Sequence, residues 1–277
     1  MWMGHGGTSV AGDSFGDRGS QPVLLLHGAG QTRHAWKTTG TDLAGHGYHV
    51  IALDARGHGD SEWAADKDYS YDAMMGDVQN VIVAEFDRPP VLVGASMGGL
   101  VSLIALGEKH INGAGLVLVD IAHRMSSKGS GRVRTFMDDG LTGFDSLEQA
   151  ADAIASYQSH RERPKSTAGL AKNLRLFPDG KYRWHWDPDY RLGRSGTDPK
   201  ERYLRMVECV KALDMPVQLI RGGLSDVLPE YAAKEFCELA PHTEFVDIAG
   251  AAHMIVGDQN DTFGGAVVDF LTRRLPA

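Results

Sequence analysis

The feature that most constrains the fold of this chain is its alternation of short apolar runs with longer helical patterns. Six mainly apolar runs end abruptly at glycine or at a polar residue, as strands buried on both faces do. The runs cover residues 23–26, 48–53, 91–96, 116–120, 217–223 and 243–248, and helical patterns cover residues 35–44, 71–86, 97–106, 230–239 and 260–275. This alternation predicts an α/β fold with a mostly parallel central sheet and helices on both faces. Ligands of such sheets bind at the carboxyl ends of the strands, so the polar residues that follow each run are the candidates for function.

Residues 123–205 interrupt this alternation and differ from the rest of the chain in charge. They hold 16 Lys and Arg against 11 Asp and Glu, whereas the remaining residues hold 12 against 25. They also carry an aromatic cluster that includes Trp184 and Trp186. We therefore predict a core formed by residues 1–122 and 206–277, with residues 123–205 inserted as a separate unit. Within this inserted segment, Asp145 or Ser146 can begin a helix.

The composition is that of an ordinary globular protein and excludes several classes. With 42% hydrophobic and 23% charged residues, the chain is too apolar for disorder and has no fibrous repeat. Its apolar runs are far shorter than the roughly 18 residues that span a bilayer, and its first residues do not resemble a secretory signal, so we expect a cytoplasmic protein without a membrane partner. A net charge of −8 argues against a nucleic-acid partner. The two cysteines lack metal-ligand spacing, and we predict no metal.

The strongest candidate for chemistry is the pentapeptide G-A-S-M-G at residues 94–98, between an apolar run and an apolar helical pattern. A sharp strand-to-helix turn of this kind lifts a serine oxygen above the edge of the sheet. Glycine two residues before and two residues after the serine relieves crowding in the turn. Ser96 is therefore predicted to be a nucleophile rather than only a helix cap.

A serine hydroxyl needs a base to remove its proton, and the base needs a carboxylate to orient it, in the chain order Ser, acid, His. His253 follows the last run, in A-G-A-A-H, and is the predicted base. Two aspartates can serve as the acid: Asp226, in G-G-L-S-D after the fifth run, and Asp120, directly after the fourth. We favour Asp226 because its strand is predicted to neighbour the histidine strand, and Asp120 is the alternative.

The oxyanion of an acyl-transfer reaction needs two hydrogen-bond donors. The N–H of Met97, the residue after the serine, is the first candidate. The segment H-G-A-G follows the first run and offers the N–H of Ala29 as the second. In the same segment, His27 can brace the loop from behind, or it can face the site as a second base or a substrate contact. The glycines do not match a phosphate-binding loop, so a nucleotide site is not expected.

These motifs together resemble those of the α/β-hydrolase superfamily. H-G-A-G, D-A-R-G-H-G-D-S, G-A-S-M-G, G-G-L-S-D and A-A-H stand in that family's order and spacing, over about residues 20–122 and 206–277. The chain looks most like the capped branch, which contains serine esterases, haloperoxidase-like enzymes and carbon–carbon bond hydrolases. The resemblance implies the following roles: nucleophile for Ser96, acid for Asp226, base for His253, oxyanion donors for Ala29 and Met97, and a helical cap for residues 123–205.

The resemblance also implies an activity, the cleavage of a small-molecule carboxylic ester through an acyl-enzyme, with no cofactor. A carbon–carbon bond hydrolase, a lactonase or a perhydrolase would use the same three side chains, and some members of the fold are ligand receptors with little turnover. A homodimer is left open. The cap would set the substrate, and the predicted substrate-binding residues are Trp184 and Trp186, which would roof the cavity from the cap, and His27.

Overall fold

The structure is a computed structural model and describes residues 1–157, 167, 170, 173–190, 198–254 and 260–277. Its strands are β1 (Trp2–Met3), β2 (Ser9–Val10), β3 (Gly12–Phe15), β4 (Gln21–Leu26), β5 (Tyr48–Leu53), β6 (Val91–Ala95), β7 (Gly115–Val119), β8 (Leu174–Leu176), β9 (Tyr182–Trp184), β10 (Val217–Gly222) and β11 (Thr243–Ile248). Its α-helices are α1 (Lys37–Gly45), α2 (Tyr71–Glu85), α3 (Met97–Gly107), α4 (Ser127–Asp139), α5 (Leu147–Tyr157), α6 (Pro199–Lys211), α7 (Glu230–Leu239) and α8 (Asp261–Arg274).

Seven of these strands form the central sheet, in the order β11-β10-β7-β6-β4-β5-β3. Neighbouring strands pair in parallel, except that β3 runs antiparallel to β5 at one edge. The six parallel strands are those predicted from the apolar runs. The pairs β1–β2 and β8–β9 form two small separate sheets. The prediction of an α/β fold with a mostly parallel sheet is confirmed.

The inner parallel strands are mainly apolar because helices cover both faces of the sheet. Along β4, Leu24 and Leu26 belong to one apolar cluster, together with side chains of α2, α3, α6 and α7. The residues between them, Val23 and Leu25, belong to a second cluster with side chains of α1 and α8. A strand points alternate side chains to opposite faces, so both sets are removed from water. Each such burial contributes roughly 1.5–3 kcal/mol, which holds the strand ends in fixed register.

The inserted segment lies between β7 and β10 and contributes α4, α5, the β8–β9 pair and the start of α6. Helix α5 begins as predicted, because the Ser146 side chain accepts the Gln149 N–H at 3.1 Å. Helix α6 crosses the predicted boundary at residue 205, since its buried face continues as far as Val210. The division into core and cap stays a prediction. None of the helices in the described ranges combines the length and the apolar character that crossing a bilayer requires.

Candidate active site

Ser96 occupies the turn between β6 and α3. Its backbone has φ 45° and ψ −111°, a conformation that residues other than glycine rarely adopt. Glycines on both sides make room for it, since a Cβ on Gly94 would lie 2.5 Å from the Gly98 backbone, and one on Gly98 would lie 2.5 Å from the Leu26 carbonyl oxygen. The Ser96 N–H donates to the Val119 carbonyl at 3.1 Å, which anchors the turn to β7. The predicted strand-to-helix turn is present, with a half-buried serine at the carboxyl edge of the sheet.

His253 is hydrogen-bonded to Asp120, the alternative acid. Its Nδ1 lies 2.6 Å from Asp120 Oδ2, and both side chains are buried. The same carboxylate accepts the Gly222 N–H at 2.8 Å and the Ser225 hydroxyl at 2.7 Å. Because a carboxylate can only accept, this contact places the ring proton on Nδ1 and leaves the lone pair of Nε2 free to take a proton. The geometry therefore suits His253 to act as a base.

Asp226 binds Arg132 rather than His253, so the prediction that it is the acid partner is wrong. Its Oδ2 accepts from Arg132 Nη1 at 2.7 Å, and its side chain is 35% exposed. The cause lies in the preceding residue, Ser225, whose Oγ accepts two N–H groups of the residues that follow Asp226. These bonds turn the loop so that Ser225 faces Asp120, while Asp226 faces α4.

Ser96 and the Asp120–His253 pair lie on the same edge of the sheet. The pairing of β6 with β7 sets Ala95 opposite Val119, so Ser96 and Asp120 are the next residues of neighbouring strands. His253 follows β11 and reaches Asp120 across the end of β10. Among the hydrogen bonds of the described residues, none joins Ser96 to His253, a contact that in hydrolytic sites often tightens only when the reactants assemble. Asp120 and His253 are in contact, and Ser96 stands at the adjacent strand end.

Two backbone N–H groups near the serine are free to bind a ligand. In the part of the chain that the structure describes, the N–H groups of Ala29 and Met97 have no hydrogen-bond partner. Their neighbours do, since Gly30 and Gly98 donate to a histidine ring and to a backbone carbonyl, at 3.2 Å each. Met97 is the first residue of α3, where an N–H group has no partner within the helix and lies at the positive end of its dipole. These two residues are the predicted oxyanion donors.

His27 braces the loop after β4 from behind, and its contact with a substrate stays a prediction. Its side chain is buried, Nδ1 donates to the Gly28 carbonyl at 2.8 Å, and Nε2 accepts the Ala55 N–H at 3.0 Å. Both ring nitrogens are thus used by the backbone. Burial lowers the pKa of this imidazole, which keeps the ring neutral. A Cβ on Gly28 would lie 3.3 Å from that of Ser96, so the braced loop directly adjoins the serine.

Trp184 and Trp186 are both buried and stack on each other, with ring centroids 5.2 Å apart and planes at 15°. Trp186 lies over the loop of residues 27–30, since a Cβ on Gly30 would come within 3.2 Å of its ring. Trp184 packs farther out, against Phe136 and Phe144. Contact of either indole with a substrate stays a prediction.

Three side chains that contact the site are not among the predicted residues. Ser225 donates to Asp120, Tyr190 has its hydroxyl 2.9 Å from the sulfur of Met97, and His58 accepts the Gly30 N–H. His58 and Ser225 stand in the motifs D-A-R-G-H-G-D-S and G-G-L-S-D, which could have drawn attention to them, whereas Tyr190 stands in neither. The structure also shows, among its described residues, no group of three or more His, Cys, Asp or Glu side chains that could hold a metal ion.

Comparison with known proteins gives relatives that share most of this chain. Esterase Rv0045c of Mycobacterium tuberculosis is 28% identical over 251 residues, which cover 87% of this chain and 80% of that protein. The probable protein phosphatase methylesterase 1 of Caenorhabditis elegans is 28% identical over 191 residues, 65% of this chain, and the chain spans about half of its length, 52%.

Solved structures and a family comparison agree on the fold. An α/β hydrolase from Novosphingobium aromaticivorans has a TM-score of 0.80 with this chain, at 22% identity, over 98% of this chain and 96% of that one. Residues 21–259 match the family described as having the alpha/beta hydrolase fold, and this range includes every candidate site residue named above. The chain therefore belongs to the α/β-hydrolase fold family.

Proposed function

We propose that this protein hydrolyses carboxylic esters of small molecules through an acyl-enzyme formed on Ser96. The observation that carries the proposal is the 2.6 Å contact of His253 with the buried Asp120, at the strand end next to the serine turn. A neutral imidazole whose Nδ1–H is held by a carboxylate is the base that an attacking serine requires. Ester substrates are supported by two relatives, one named an esterase and the other a probable methylesterase.

The reaction begins with attack of Ser96 Oγ on the acyl carbon while His253 Nε2 takes the serine proton. Asp120 stabilises the imidazolium that forms, because its carboxylate accepts from Nδ1. The negative charge that develops on the carbonyl oxygen is bound by the free N–H groups of Ala29 and Met97. Collapse of the tetrahedral intermediate breaks the ester bond, and the leaving alkoxide takes the proton from His253.

Water then completes the cycle by the same steps in reverse. His253 removes a proton from the water as its oxygen attacks the acyl carbon. The second intermediate expels Ser96 Oγ, which recovers that proton from the imidazolium, and the carboxylic acid leaves. The protein groups finish in their starting protonation states, so the net reaction is ester plus water to acid plus alcohol.

The inserted segment, residues 123–205, acts in this proposal as a cap over the site. Its residue Asp187 accepts from the Tyr69 hydroxyl, and the Asp187 N–H donates to the Gly57 carbonyl at 2.9 Å. These contacts hold Trp186 over the loop of residues 27–30, where an indole would close the acyl site from above.

The proposal is tested by two serine variants, one in the turn before α3 and one within α3. Ser96→Ala removes the nucleophile and should lower kcat for p-nitrophenyl butyrate by about 10⁴-fold or more. Ser102→Ala is the matched control, because Ser102 is buried in α3 and donates only to the Gly98 carbonyl, at 2.8 Å. We expect it to stay within about threefold of wild type. Substantial turnover by the Ser96 variant, at or near the wild-type rate, would remove the proposed nucleophile.

A further inference from the structure

Three buried histidines outside the proposed triad meet behind the candidate oxyanion loop. They are His27 after β4, His58 after β5, and His185 directly after β9 in the inserted segment. The ring centroid of His58 lies 5.3 Å from that of His27 and 5.8 Å from that of His185. The cluster therefore joins three loops that are distant in the sequence.

Two of these rings bind the same backbone residue. His58 Nε2 accepts the Gly30 N–H at 3.2 Å, and His58 Nδ1 donates to the Arg56 carbonyl at 3.2 Å. His185 Nε2 donates to the Gly30 carbonyl at 3.3 Å, and His185 Nδ1 accepts the Gly59 N–H at 2.8 Å. Since a backbone N–H can only donate, each ring must keep one bare nitrogen, which makes both rings neutral with fixed tautomers. Burial lowers the pKa of His185 to about 4 and that of His58 well below its usual value, which agrees with this reading.

His58 and His185 both bind Gly30, the residue after Ala29. The Ala29 N–H is one of the two free donors near the serine. The peptide unit that carries this N–H has its carbonyl oxygen on Gly28, which accepts from His27 Nδ1 and, at 3.0 Å, from the Gln31 N–H. In a trans peptide the carbonyl and the N–H point in opposite directions, so fixing the oxygen aims the N–H. His27 thus fixes one end of Ala29, and the two rings on Gly30 fix the other.

We propose that His58 and His185 are positioning residues that aim the Ala29 N–H at the oxyanion. The inserted segment then contributes to transition-state stabilisation through His185 as well as covering the site. This inference rests on the proposed function, because it assigns a role in that same reaction. The proposed role depends on the position of the Ala29 N–H. An oxyanion donor displaced by about 1 Å loses most of its effect on kcat, whereas substrate binding depends little on that displacement.

Two substitutions at His58 distinguish the loss of its hydrogen-bond acceptor from the loss of its aromatic ring. His58→Phe keeps the ring but leaves the Gly30 N–H without a partner, and we expect kcat for p-nitrophenyl butyrate to fall about 10- to 100-fold with KM within about threefold. His58→Gln offers its side-chain oxygen to the same N–H and should restore kcat to within about fivefold of wild type. His185→Asn keeps an acceptor for the Gly59 N–H but loses the donor to the Gly30 carbonyl, so kcat should fall again while KM holds.

A buried histidine at the opposite edge of the sheet is the matched control. His49 lies near the amino end of β5, where Nε2 is 3.2 Å from the Ser14 hydroxyl and the ring packs on Phe86. His49→Phe should lower the melting temperature without a selective loss of kcat. A butylboronic acid, which forms a tetrahedral adduct with an oxygen in the oxyanion site, should lose affinity for the His58→Phe variant in parallel with kcat.

Nitrogen-15 NMR of the histidine rings gives a readout that does not depend on turnover. Wild-type protein at pH 7 should show His58 neutral with its proton on Nδ1, and His185 neutral with its proton on Nε2. A charged ring or the opposite tautomer at either residue contradicts the inference.

The inference is also contradicted if wild-type enzyme is active and the His58→Phe variant keeps wild-type kcat and boronate affinity. Failure of the proposed function looks different, since wild-type protein would then neither hydrolyse the ester nor bind the boronate. Should the Phe variant not fold, the His185→Asn result decides.

Discussion

Replacing Asp120 with asparagine exchanges one carboxylate oxygen for an NH₂ group. One hydrogen-bond acceptor of the side chain thus becomes a donor. Oδ1 of Asp120 accepts the Gly222 N–H, and Oδ2 accepts both the Ser225 hydroxyl and His253 Nδ1–H. The Gly222 N–H can only donate, so the amide oxygen of the asparagine takes the position that faces it. The NH₂ group then faces His253 Nδ1, which must become an acceptor. The imidazole responds by carrying its proton on Nε2, where it can no longer take the proton of Ser96.

The size of this effect follows from the loss of the correct tautomer. The same replacement in a serine-protease triad lowers kcat about 10⁴-fold, which corresponds to about 5.5 kcal/mol of activation free energy. Asp226→Asn makes the identical chemical change in the loop after the neighbouring strand, β10. It breaks only the ion pair with Arg132, whose side chains are 47% and 35% exposed. Exposed pairs of this kind contribute about 0–1 kcal/mol to stability, and kcat should stay within about twofold of wild type.

The assay is the initial rate of p-nitrophenyl butyrate hydrolysis by the two variants and wild type, with circular dichroism to show that each protein is folded. We expect Asp120→Asn to be folded and nearly inactive, and Asp226→Asn to be folded and active. If instead Asp226→Asn loses about 10³-fold while Asp120→Asn loses tenfold or less, the acid is the one in the exposed loop and the assignment made from the structure is refuted.

Three further outcomes follow from contacts around the site. Ser225→Ala removes the hydroxyl that Asp120 accepts, and steady-state kinetics should show kcat about tenfold lower, since a hydrogen bond to a charged group contributes about 1.5–3 kcal/mol. Asp77→Ala leaves the fully buried guanidinium of Arg56 without its carboxylate partner, and urea titrations should show a free energy of unfolding lower by about 3–5 kcal/mol. Because burial lowers the pKa of His185 from 6.5 to about 4, the unfolded chain binds a proton that the folded chain excludes between these values. The free energy of unfolding should therefore fall as the pH falls through this window, by up to about 3 kcal/mol, and less steeply in His185→Asn.

The inner parallel strands could be predicted because burial on both faces of the sheet requires runs of mainly apolar residues, as in β6 and β7, whose residues are all buried. The bounds of β5 and β11 are those predicted, and the helix after Ser96 begins where the glycine pattern places it. Strand β3 (Gly12–Phe15) holds a single apolar side chain, that of Phe15, so it contains no apolar run from which a strand could be predicted.

The partner of His253 could not be predicted because two aspartates follow neighbouring strands. The strand before Asp226, β10, does lie beside the histidine strand β11, as predicted. What decides between the two carboxylates is the turn after β10, in which Ser225 accepts N–H groups of its own loop and donates to Asp120. That turn depends on hydrogen bonds between side chain and backbone, which no apolar pattern or residue spacing reveals. The histidine cluster escaped prediction for the same reason, since its partners are backbone groups of remote loops.

The most direct test of the acyl-enzyme is the site of covalent capture. Wild-type protein incubated with a fluorophosphonate should gain the mass of one phosphonyl group, which peptide mapping should assign to Ser96. Ser96→Ala should gain none, and Asp120→Asn should react far more slowly than Asp226→Asn. A phosphonyl group found on another side chain, or equal labelling of wild type and Ser96→Ala, would contradict the account.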